Sequence, residues 1–308
     1  MTPINIPSVL ADWCSQQLGP FTVLKTYLQE QRDSQVWRLS TEEKIVYLKA
    51  YHSLTKWGME VHAYENWVAA LGNQAPRALA ILAEPIPAIL LTELSGSTMD
   101  CLKLEPEQEQ TLWRSAGATL AQLHSQPSGQ WFGVPLRDGS PLAEFPETNP
   151  VSLISSSLEA WLQRGVNDDL LMADEIQAIQ QALVIADIFT GETPTPCHGD
   201  YQPRNWMITQ SGIWQGVIDF EHARWDLKMS DLGYWWDRGL RERPHLKAAF
   251  WDGYGKLGEP EQRQLAIIRI LGATGRVIWG RRYGDQATEK LGHCVLKELA
   301  QVSIESID

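Results

Sequence analysis

Runs of β-branched and aromatic residues alternate with short polar turns along the first third of the chain. This pattern is typical of strands that lie half buried in an antiparallel sheet. A longer apolar stretch between two of the runs, ended by Gly72-Asn73, predicts one helix. The predicted strands lie at residues 21–28, 35–39, 45–51, 78–83 and 88–92, and the predicted helix at 57–71.

The remaining two thirds of the chain carries mainly helical periodicity. Residues 105–125 place Leu112, Ala116 and Leu120 on one face, behind an acidic start that contains proline. A loop rich in proline and glycine is predicted from 125 to 147. Further helices are predicted at 150–164, 171–188, 245–256, 261–282 and 284–305. Strands that come first and helices that follow favour an α+β fold.

One β-hairpin is predicted within the helical part. Two apolar runs, 205–209 and 213–220, flank a Gln-Ser-Gly turn, which predicts a hairpin with a three-residue loop. Because a hairpin brings its ends together, we expect Asn205 and Asp219 to be neighbours, with Asp200 facing both. Two carboxylates and an amide oxygen form a hard-oxygen site that suits Mg²⁺.

Composition restricts the classes of partner. The 308-residue chain has a formal net charge of −12, which argues against a nucleic-acid partner because phosphate binding needs a basic face. The four cysteines are scattered and predict neither a zinc ribbon nor a disulfide framework. We find no signal-peptide pattern and no apolar run of membrane-spanning length. We therefore expect a cytoplasmic protein with no membrane partner.

The spacing around the hairpin carries a more specific signal. Asp200, Asn205 and Asp219 follow the order Asp-x-x-x-x-Asn and then Asp-Phe, which protein kinases use in their catalytic and metal-binding loops. His198-Gly199 precedes Asp200, and Glu221 stands where protein kinases place glycine. This variant resembles the aminoglycoside phosphotransferase and choline kinase family, small-molecule kinases with a protein-kinase-like fold. A structural hairpin with solvated acids at its ends is the alternative interpretation.

The resemblance implies a fold of two lobes. A small antiparallel-sheet lobe, residues 1–94, would bind the nucleotide and end in the hinge, and a larger, mostly helical lobe, residues 95–308, would carry the catalytic loop. The family uses ATP, with GTP as the alternative donor, together with Mg²⁺. The resemblance makes Asp200 the base that orients and deprotonates the acceptor hydroxyl, and it makes Asn205 and Asp219 the metal ligands.

The same resemblance assigns the nucleotide contacts. Lys49 matches the strand lysine that holds the α- and β-phosphates, although such a lysine taken alone reads as an edge residue facing solvent. Glu60 is favoured as the helix acid that orients Lys49, over Glu65, which lies about 140° further around the helix. Ser34 is the candidate phosphate contact in the first loop. The hinge that holds the adenine edge is assigned to Thr92, Glu93 and Leu94.

The segment after the hairpin supplies a brace and the acceptor candidates. Asp231 resembles the family's Asp-Leu-Gly position and is predicted to hold His198-Gly199 in place rather than to bind metal. Flat aromatic faces suit a sugar ring or an alkylated ammonium, and nearby acids suit a cation. The acceptor candidates are Trp225, Asp226, Trp235, Trp236 and Asp237. The open alternative is that these tryptophans are core residues and the acids keep the protein in solution.

The predicted function is an ATP- and Mg²⁺-dependent phosphotransferase acting on a hydroxyl of a small molecule. Aminoglycosides and amino alcohols are the candidate acceptors, and a cationic acceptor would agree with the negative net charge. The alternative is a catalytically silent nucleotide- or metabolite-binding protein on the same fold. Intact polar residues at all four motif positions argue against it: Lys49, Asp200, Asn205 and Asp219.

Overall fold

The computed structural model describes residues 6–27, 34–233, 237 and 240–301. The chain forms two compact units, each built from separate segments. The first unit comprises Met1–Gln108, Val134–Leu142 and Pro203–Arg224. The second comprises Glu109–Gly133, Ala143–Gln202 and Trp225–Asp308. The predicted lobe boundary between residues 94 and 95 stays a prediction.

The first unit contains a five-stranded antiparallel sheet with the strand order β1-β2-β3-β5-β4. All five predicted strands form, with small shifts at their ends, and each contacts its neighbour in antiparallel register. They are β1 (Thr22–Tyr27), β2 (Ser34–Ser40), β3 (Ile45–Tyr51), β4 (Ala78–Leu82) and β5 (Ala88–Thr92). A second sheet has the order β6-β8-β9, with β6 (Ser97–Thr98), β8 (Trp206–Ile208) and β9 (Trp214–Val217).

Two helices of the first unit differ from the sequence prediction. Helix α1 (Ser8–Leu18) was not predicted, because only Leu10 and Cys14 of its residues are buried and its apolar stripe is narrow. Helix α2 (Leu54–Asn66) begins before the predicted start, since the Ser53 side chain accepts a hydrogen bond from Lys56 N and caps the first turn. A 3₁₀ helix, Val68–Gln74, replaces the predicted last turn of α2.

The second unit is mostly helical. Its helices are α3 (Pro106–His124), α4 (Pro150–Asn167), α5 (Ala173–Val184), α6 (Ser230–Gly233), α7 (Pro244–Tyr254), α8 (Glu259–Tyr283) and α9 (Gln286–Gln301). A short strand pair joins β7 (Thr195–Cys197) to β10 (Arg224–Asp226). The α+β class predicted from the sequence is confirmed. In the described part of the chain, no helix combines the length and the apolar character that crossing a membrane requires.

Candidate active site

The β8–β9 hairpin forms as predicted and fixes two polar residues at its open end. Thr209 N–H donates to Ile213 O at 2.9 Å and closes the three-residue loop. At the other end, Ile218 N–H donates to Asn205 O at 3.0 Å. Asn205 therefore lies beside the residue that directly precedes Asp219, as expected from the hairpin pattern.

Asp219 has an unusual backbone and an accessible side chain. Its φ of 72° lies in the left-handed region, which residues other than glycine rarely adopt and which is frequent at functional sites. A quarter of its side chain is exposed, and Oδ1 lies 2.5 Å from Lys49 Nζ. The Asp219 carboxylate and the Asn205 amide offer the oxygen ligands that Mg²⁺ prefers, so the donor set fits this ion.

Lys49 lies at the centre of an acidic cluster. Strand β3 is the middle strand of the five-stranded sheet, and Lys49 is 5 % exposed, which excludes the interpretation as a solvent-facing edge lysine. Its Nζ lies 2.7 Å from Glu60 Oε2 and 2.5 Å from Asp219 Oδ1. The third carboxylate belongs to Glu221, whose Oε2 is 3.0 Å from Nζ. One ammonium group thus contacts three carboxylates.

The electrostatics of this cluster keep the lysine charged. Burial by itself opposes the charge, but the carboxylates of Asp219, Glu60 and Glu221 outweigh burial and raise the pKa of Lys49 well above its ordinary value. Burial also raises the pKa of Glu60, although Lys49 acts in the opposite direction. Glu60 Oε2 accepts a second hydrogen bond, from Tyr51 Oη at 2.7 Å. Three carboxylates and one cation leave the cluster with an excess of negative charge.

Glu60 and Glu65 lie on different faces of α2, and only Glu60 reaches Lys49. Glu65 instead binds Arg137, with 2.9 Å between Glu65 Oε1 and Arg137 Nη2. The Lys49–Glu60 contact favoured by the sequence is therefore present. That this pair positions a nucleotide stays a prediction.

Ser34, the candidate phosphate contact, lies beside the Lys49 cluster. Ser34 is the first residue of β2 rather than a residue of the preceding loop, and it is buried. Its Oγ donates to Glu221 Oε2 at 3.1 Å, so Ser34 contacts a carboxylate that also holds Lys49. The predicted contact between Ser34 and phosphate stays a prediction.

The predicted hinge follows the last residues of β5. Thr92 ends the strand, and its Oγ1 accepts a hydrogen bond from Arg77 N at 2.8 Å. Glu93 pairs with Arg38, with Nη2 and Oε1 2.8 Å apart, and Leu94 comes directly after it. These contacts fix the exit of the strand, and the assignment of Thr92, Glu93 and Leu94 to adenine binding stays a prediction.

The sequence His198-Gly199-Asp200 belongs to the second unit, where the Asp231 carboxylate accepts hydrogen bonds from its backbone. His198 N–H donates to Asp231 Oδ2 at 2.8 Å, and Gly199 N–H donates to Oδ1 at 2.7 Å. His124 Nε2 lies 3.1 Å from Oδ2, and its other ring nitrogen, Nδ1, lies 2.8 Å from Tyr254 Oη. The predicted contact between Asp231 and the His198-Gly199 backbone is therefore present.

Asp231 is stabilised as an anion although it is fully enclosed. Burial alone would raise the pKa of its carboxyl group, but the hydrogen bond from His124 and the neighbouring His198 outweigh burial and lower this pKa. Both oxygens accept a backbone N–H as well. The predicted base, Asp200, follows immediately in the chain: its N–H donates to His198 Nδ1 at 3.2 Å, and the Gln202 amide contacts its Oδ1. The catalytic role of Asp200 stays a prediction.

The acceptor candidates have differing surroundings. Trp225 pairs with Gly133 through both backbone groups, and Asp226 Oδ1 accepts hydrogen bonds from Leu227 N and Ser230 Oγ. Asp237 is 3 % exposed, with one oxygen 2.7 Å from Arg269 Nη2 and the other 2.9 Å from Arg276 Nη1. Two arginines thus neutralise Asp237, and its carboxylate has no charge left to attract a cationic acceptor. Trp235 and Trp236 lie outside the described residues.

Sequence reasoning assigned no role to two residues that complete the Lys49 cluster, Glu221 and Tyr51. A signal existed for Tyr51, because residues two apart in a strand share one face and Tyr51 follows Lys49 at that spacing. Glu221 follows Asp219 at the same spacing, but β9 ends at Val217, so the strand period does not apply there. Only the fold brings Glu221 to Lys49.

Known proteins match this chain at the level of family and fold. The model of the phosphotransferase enzyme family matches residues 26–266. Among proteins of curated function, none matches this sequence significantly.

Several solved structures share the fold at low sequence identity. The aminoglycoside phosphotransferase APH(4)-Ia aligns with a TM-score of 0.70 and 14% identity over 96% of this chain and 98% of that one. A thermostable mutant of that enzyme, in ternary complex with ADP and hygromycin B, aligns with a TM-score of 0.68 and 15% identity. This alignment covers 96% of this chain and 99% of that one. The GDP and kanamycin complex of APH(2")-IIIa aligns with a TM-score of 0.64 and 15% identity. This alignment covers 96% of this chain and 99% of that one.

The family match covers well over half of the chain and contains Lys49, Glu60, Asp200, Asn205, Asp219 and Asp231. The similar structures extend over nearly its whole length, and they give it the aminoglycoside-phosphotransferase type of kinase-like fold that the sequence predicted. The chain belongs to the phosphotransferase enzyme family and is a phosphotransferase that acts on an alcohol group.

Proposed function

We propose that this protein transfers the γ-phosphoryl group of ATP to a hydroxyl of a small cationic molecule, an aminoglycoside or an amino alcohol, with GTP as the alternative donor. The observation that supports it most strongly is the buried Lys49 ammonium, which contacts Glu60 and Asp219 together. A lysine held in one place by carboxylates presents a fixed positive charge to phosphate oxygens. Phosphoryl transfer depends mainly on such positioning and charge neutralisation.

On the nucleotide side, each residue has a separate task. Lys49 binds the α- and β-phosphates, and Glu60 keeps its ammonium group in place. Asn205 and Asp219 would hold Mg²⁺, which would offset the negative charge of the phosphates. The backbone amide and carbonyl groups of Thr92, Glu93 and Leu94 form hydrogen bonds with the edge of the adenine ring. Asp219 thus serves both the ion and Lys49, in agreement with its two carboxylate oxygens.

On the acceptor side, Asp200 orients the hydroxyl and takes its proton as the bond to phosphorus forms. A base must be held within hydrogen-bond reach of its proton, and the two N–H bonds from His198 and Gly199 to Asp231 fix the backbone that carries Asp200. Asp231 supports the loop and makes no contact with substrate in this proposal.

The proposed acceptor is cationic because the protein is strongly acidic and because two similar structures contain aminoglycosides, hygromycin B and kanamycin. Negative charge concentrates a cation near the protein and accelerates its binding. Trp225 and Asp226 remain candidate contacts, the first for a ring face and the second for an amine. An electrostatic contribution of this kind weakens as salt screens it over about 10 Å at 0.1 M.

A phosphorylation screen tests the proposal. Purified protein is incubated with γ-labelled ATP or GTP, Mg²⁺ and a panel of aminoglycosides, amino alcohols, neutral sugars and hydroxy acids, with the Asp200→Asn variant as control. We expect label transfer to a cationic member of the panel, and we expect its Michaelis constant to rise with salt. A neutral or anionic preferred acceptor contradicts the proposed acceptor class. Nucleotide binding without turnover on any acceptor would favour the silent-protein interpretation.

A further inference from the structure

A short segment from the middle of the chain packs against the helix that carries Glu60. Residues Val134–Leu142, called the clasp below, belong to the first unit, whereas the residues on both sides of them belong to the second. The clasp is a closed turn: Leu142 N–H donates to Val134 O at 2.9 Å, and Leu136 N–H donates to Ser140 O at 2.8 Å. It therefore presents a defined surface to its neighbours.

Arg137 makes most of the contacts between the clasp and α2. Its Nη2 lies 2.9 Å from Glu65 Oε1 and its Nε 3.4 Å from Oε2, so the guanidinium and the carboxylate meet side by side. The guanidinium also lies 5.4 Å from the centre of the Trp57 ring, in cation–π range. His62 Nδ1 donates to the Arg137 carbonyl at 3.4 Å. One residue of the clasp thus contacts three successive turns of α2.

The two backbones also come close together, and this needs a glycine. A Cβ atom added to Gly58 would lie 3.3 Å from Arg137 N, which is tighter than nine in ten real contacts of a Cβ atom. Gly139 has a φ of 83°, and a Cβ there would lie 3.4 Å from His62 Cε1. Glycine in the middle of a helix costs about 1 kcal/mol relative to alanine. The clasp therefore sits on α2 at a spacing that a side chain at residue 58 would disturb.

The clasp and the Lys49 cluster contact different sides of α2. Glu60 points to Lys49, and Tyr64, one turn later, packs against the Phe220 ring at 5.6 Å between centroids. Glu65 lies about 140° around the helix from Glu60 and points to the clasp. Helix α2 is consequently held from two sides, by the cluster and by the clasp.

We propose that the clasp is a positioning device for Glu60, with Arg137 and Glu65 as its positioning residues. Because a helix moves as a rigid rod, contacts on one side of α2 set the distance of Glu60 from Lys49 on the other side. The clasp thereby tunes nucleotide affinity without touching the nucleotide. This inference rests on the proposed role of Lys49 and Glu60 in nucleotide binding.

The test measures the affinity for the non-hydrolysable analogue AMP-PNP with Mg²⁺ by calorimetry, for wild type, Arg137→Ala, Glu65→Ala and the exchanged pair Arg137→Glu/Glu65→Arg. A partly exposed ion pair and a cation–π contact each change an equilibrium constant by about two- to fivefold, so each single variant should weaken binding by that factor or somewhat more. The exchanged pair should recover part of the loss. Hydrogen exchange in α2 should become faster in the single variants and slower again in the exchanged pair.

Two further variants separate the possible failures. Arg281→Ala removes a comparable exposed ion pair, with Glu289, in the second unit, and it should leave AMP-PNP affinity unchanged. Glu60→Gln should weaken binding more than any clasp variant. If Glu60→Gln has no effect, the proposed nucleotide site is wrong. If Glu60→Gln weakens binding while Arg137→Ala and Glu65→Ala do not, or if the exchanged pair recovers nothing, the clasp proposal is wrong.

Folding is checked by the melting temperature of each variant. Arg137→Lys serves as the second variant if Arg137→Ala does not fold, because it keeps the charge and loses only the two-point contact. We expect its AMP-PNP affinity to lie between those of wild type and Glu65→Ala. An affinity for Arg137→Lys equal to wild type, together with unchanged hydrogen exchange in α2, would overturn the proposal.

Discussion

The two units each contain a buried ionic cluster, and the two clusters are built in opposite ways. In the first unit one cation, Lys49, is shared by three carboxylates. In the second unit one carboxylate, Asp231, is surrounded by donors: two backbone N–H groups and His124. The first cluster has more carboxylates than its one cation can neutralise, while the second satisfies its one carboxylate with hydrogen-bond donors.

This difference matches two different tasks. A cluster with excess negative charge and an accessible carboxylate at Asp219 can accept a further cation, and the proposed Mg²⁺ would supply it. A cluster with every oxygen already bound, and no exposure at Asp231, can only hold its own backbone in place. Burial of ions is costly unless they are paired, so the under-neutralised cluster has a functional rather than a stabilising rationale.

The largest effect is expected at Asp200, which belongs to neither cluster. Asp200→Asn should lower turnover by about 10²- to 10⁴-fold, because general-base catalysis contributes that much. AMP-PNP affinity and melting temperature should stay close to wild type, since both clusters remain intact. Steady-state kinetics on the acceptor found in the screen provides the measurement, and near-normal turnover would show that another group is the base.

Next in size is Asp231→Ala. Removing one partner of a buried ionic network leaves the others without compensation, and this costs about 3–5 kcal/mol of unfolding free energy. Chemical denaturation measures it, with Asp252→Ala as a control because Asp252 forms an exposed ion pair with Arg114. A loss below about 1 kcal/mol for Asp231→Ala would mean that this cluster does not brace the loop.

Glu60→Gln should lower stability less than Asp231→Ala does, but it should weaken nucleotide binding. A hydrogen bond to a charged group contributes about 1.5–3 kcal/mol, so we expect AMP-PNP affinity to fall roughly tenfold or more. Glu65→Gln should weaken binding less, because it removes only the carboxylate charge that pairs with Arg137 of the clasp. The opposite ranking would show that Glu60 does not position Lys49.

Glu221→Gln tests the charge imbalance of the Lys49 cluster directly. Its effect on the free energy of unfolding should have the opposite sign to that of Asp231→Ala, or be absent. Replacing a buried ionic group by a neutral one of similar shape is often neutral or stabilising, so unfolding free energy should stay constant or rise by up to about 1 kcal/mol. The glutamine can still accept the hydrogen bond from Ser34 Oγ. A destabilisation of 2 kcal/mol or more, on the order of a broken buried pair, would contradict the view that the Lys49 cluster is over-supplied with carboxylates.

The smallest effect on stability is expected from His62 in α2, through the pH dependence of its imidazole. Burial lowers the pKa of its imidazole, while the hydrogen bond to the Arg137 carbonyl and the charges of Glu65 and Asp138 oppose this shift. The unfolded chain, with an ordinary pKa near 6.5, therefore binds more protons than the folded one as the pH falls below that value. His62 should thus cost stability below about pH 6.5 and nothing at higher pH. The His62→Asn variant should lose less stability than wild type between pH 7 and pH 5, as measured by chemical denaturation at each pH. Equal losses would show that the lowered pKa of His62 does not contribute to the pH dependence of stability.

The sequence by itself determined the strands of the large sheet, the hairpin and the motif. Apolar runs rich in β-branched and aromatic residues predicted all five strands, and the turn residues between two further runs predicted the β8–β9 hairpin. The spacing from His198 to Asp231 indicated the family, which the comparisons confirmed. Helical geometry allowed only one of Glu60 and Glu65 to face the strand, and the resemblance to the family favoured Glu60 as the partner of Lys49.

Only the tertiary structure decided which charges share a partner. Glu221 and Lys49 are 172 positions apart, and Arg137 and Glu65 are 72 positions apart, so no local period connects them. The pairing of Asp237 with two arginines of α8 likewise follows from helix packing, which removed this acid from the acceptor candidates. A local pattern records which side of its own helix or strand a residue occupies. What lies opposite that side depends on long-range packing. Here that packing gives Lys49 three carboxylates, one of them accessible, and gives Asp231 a hydrogen-bond donor for each of its oxygens.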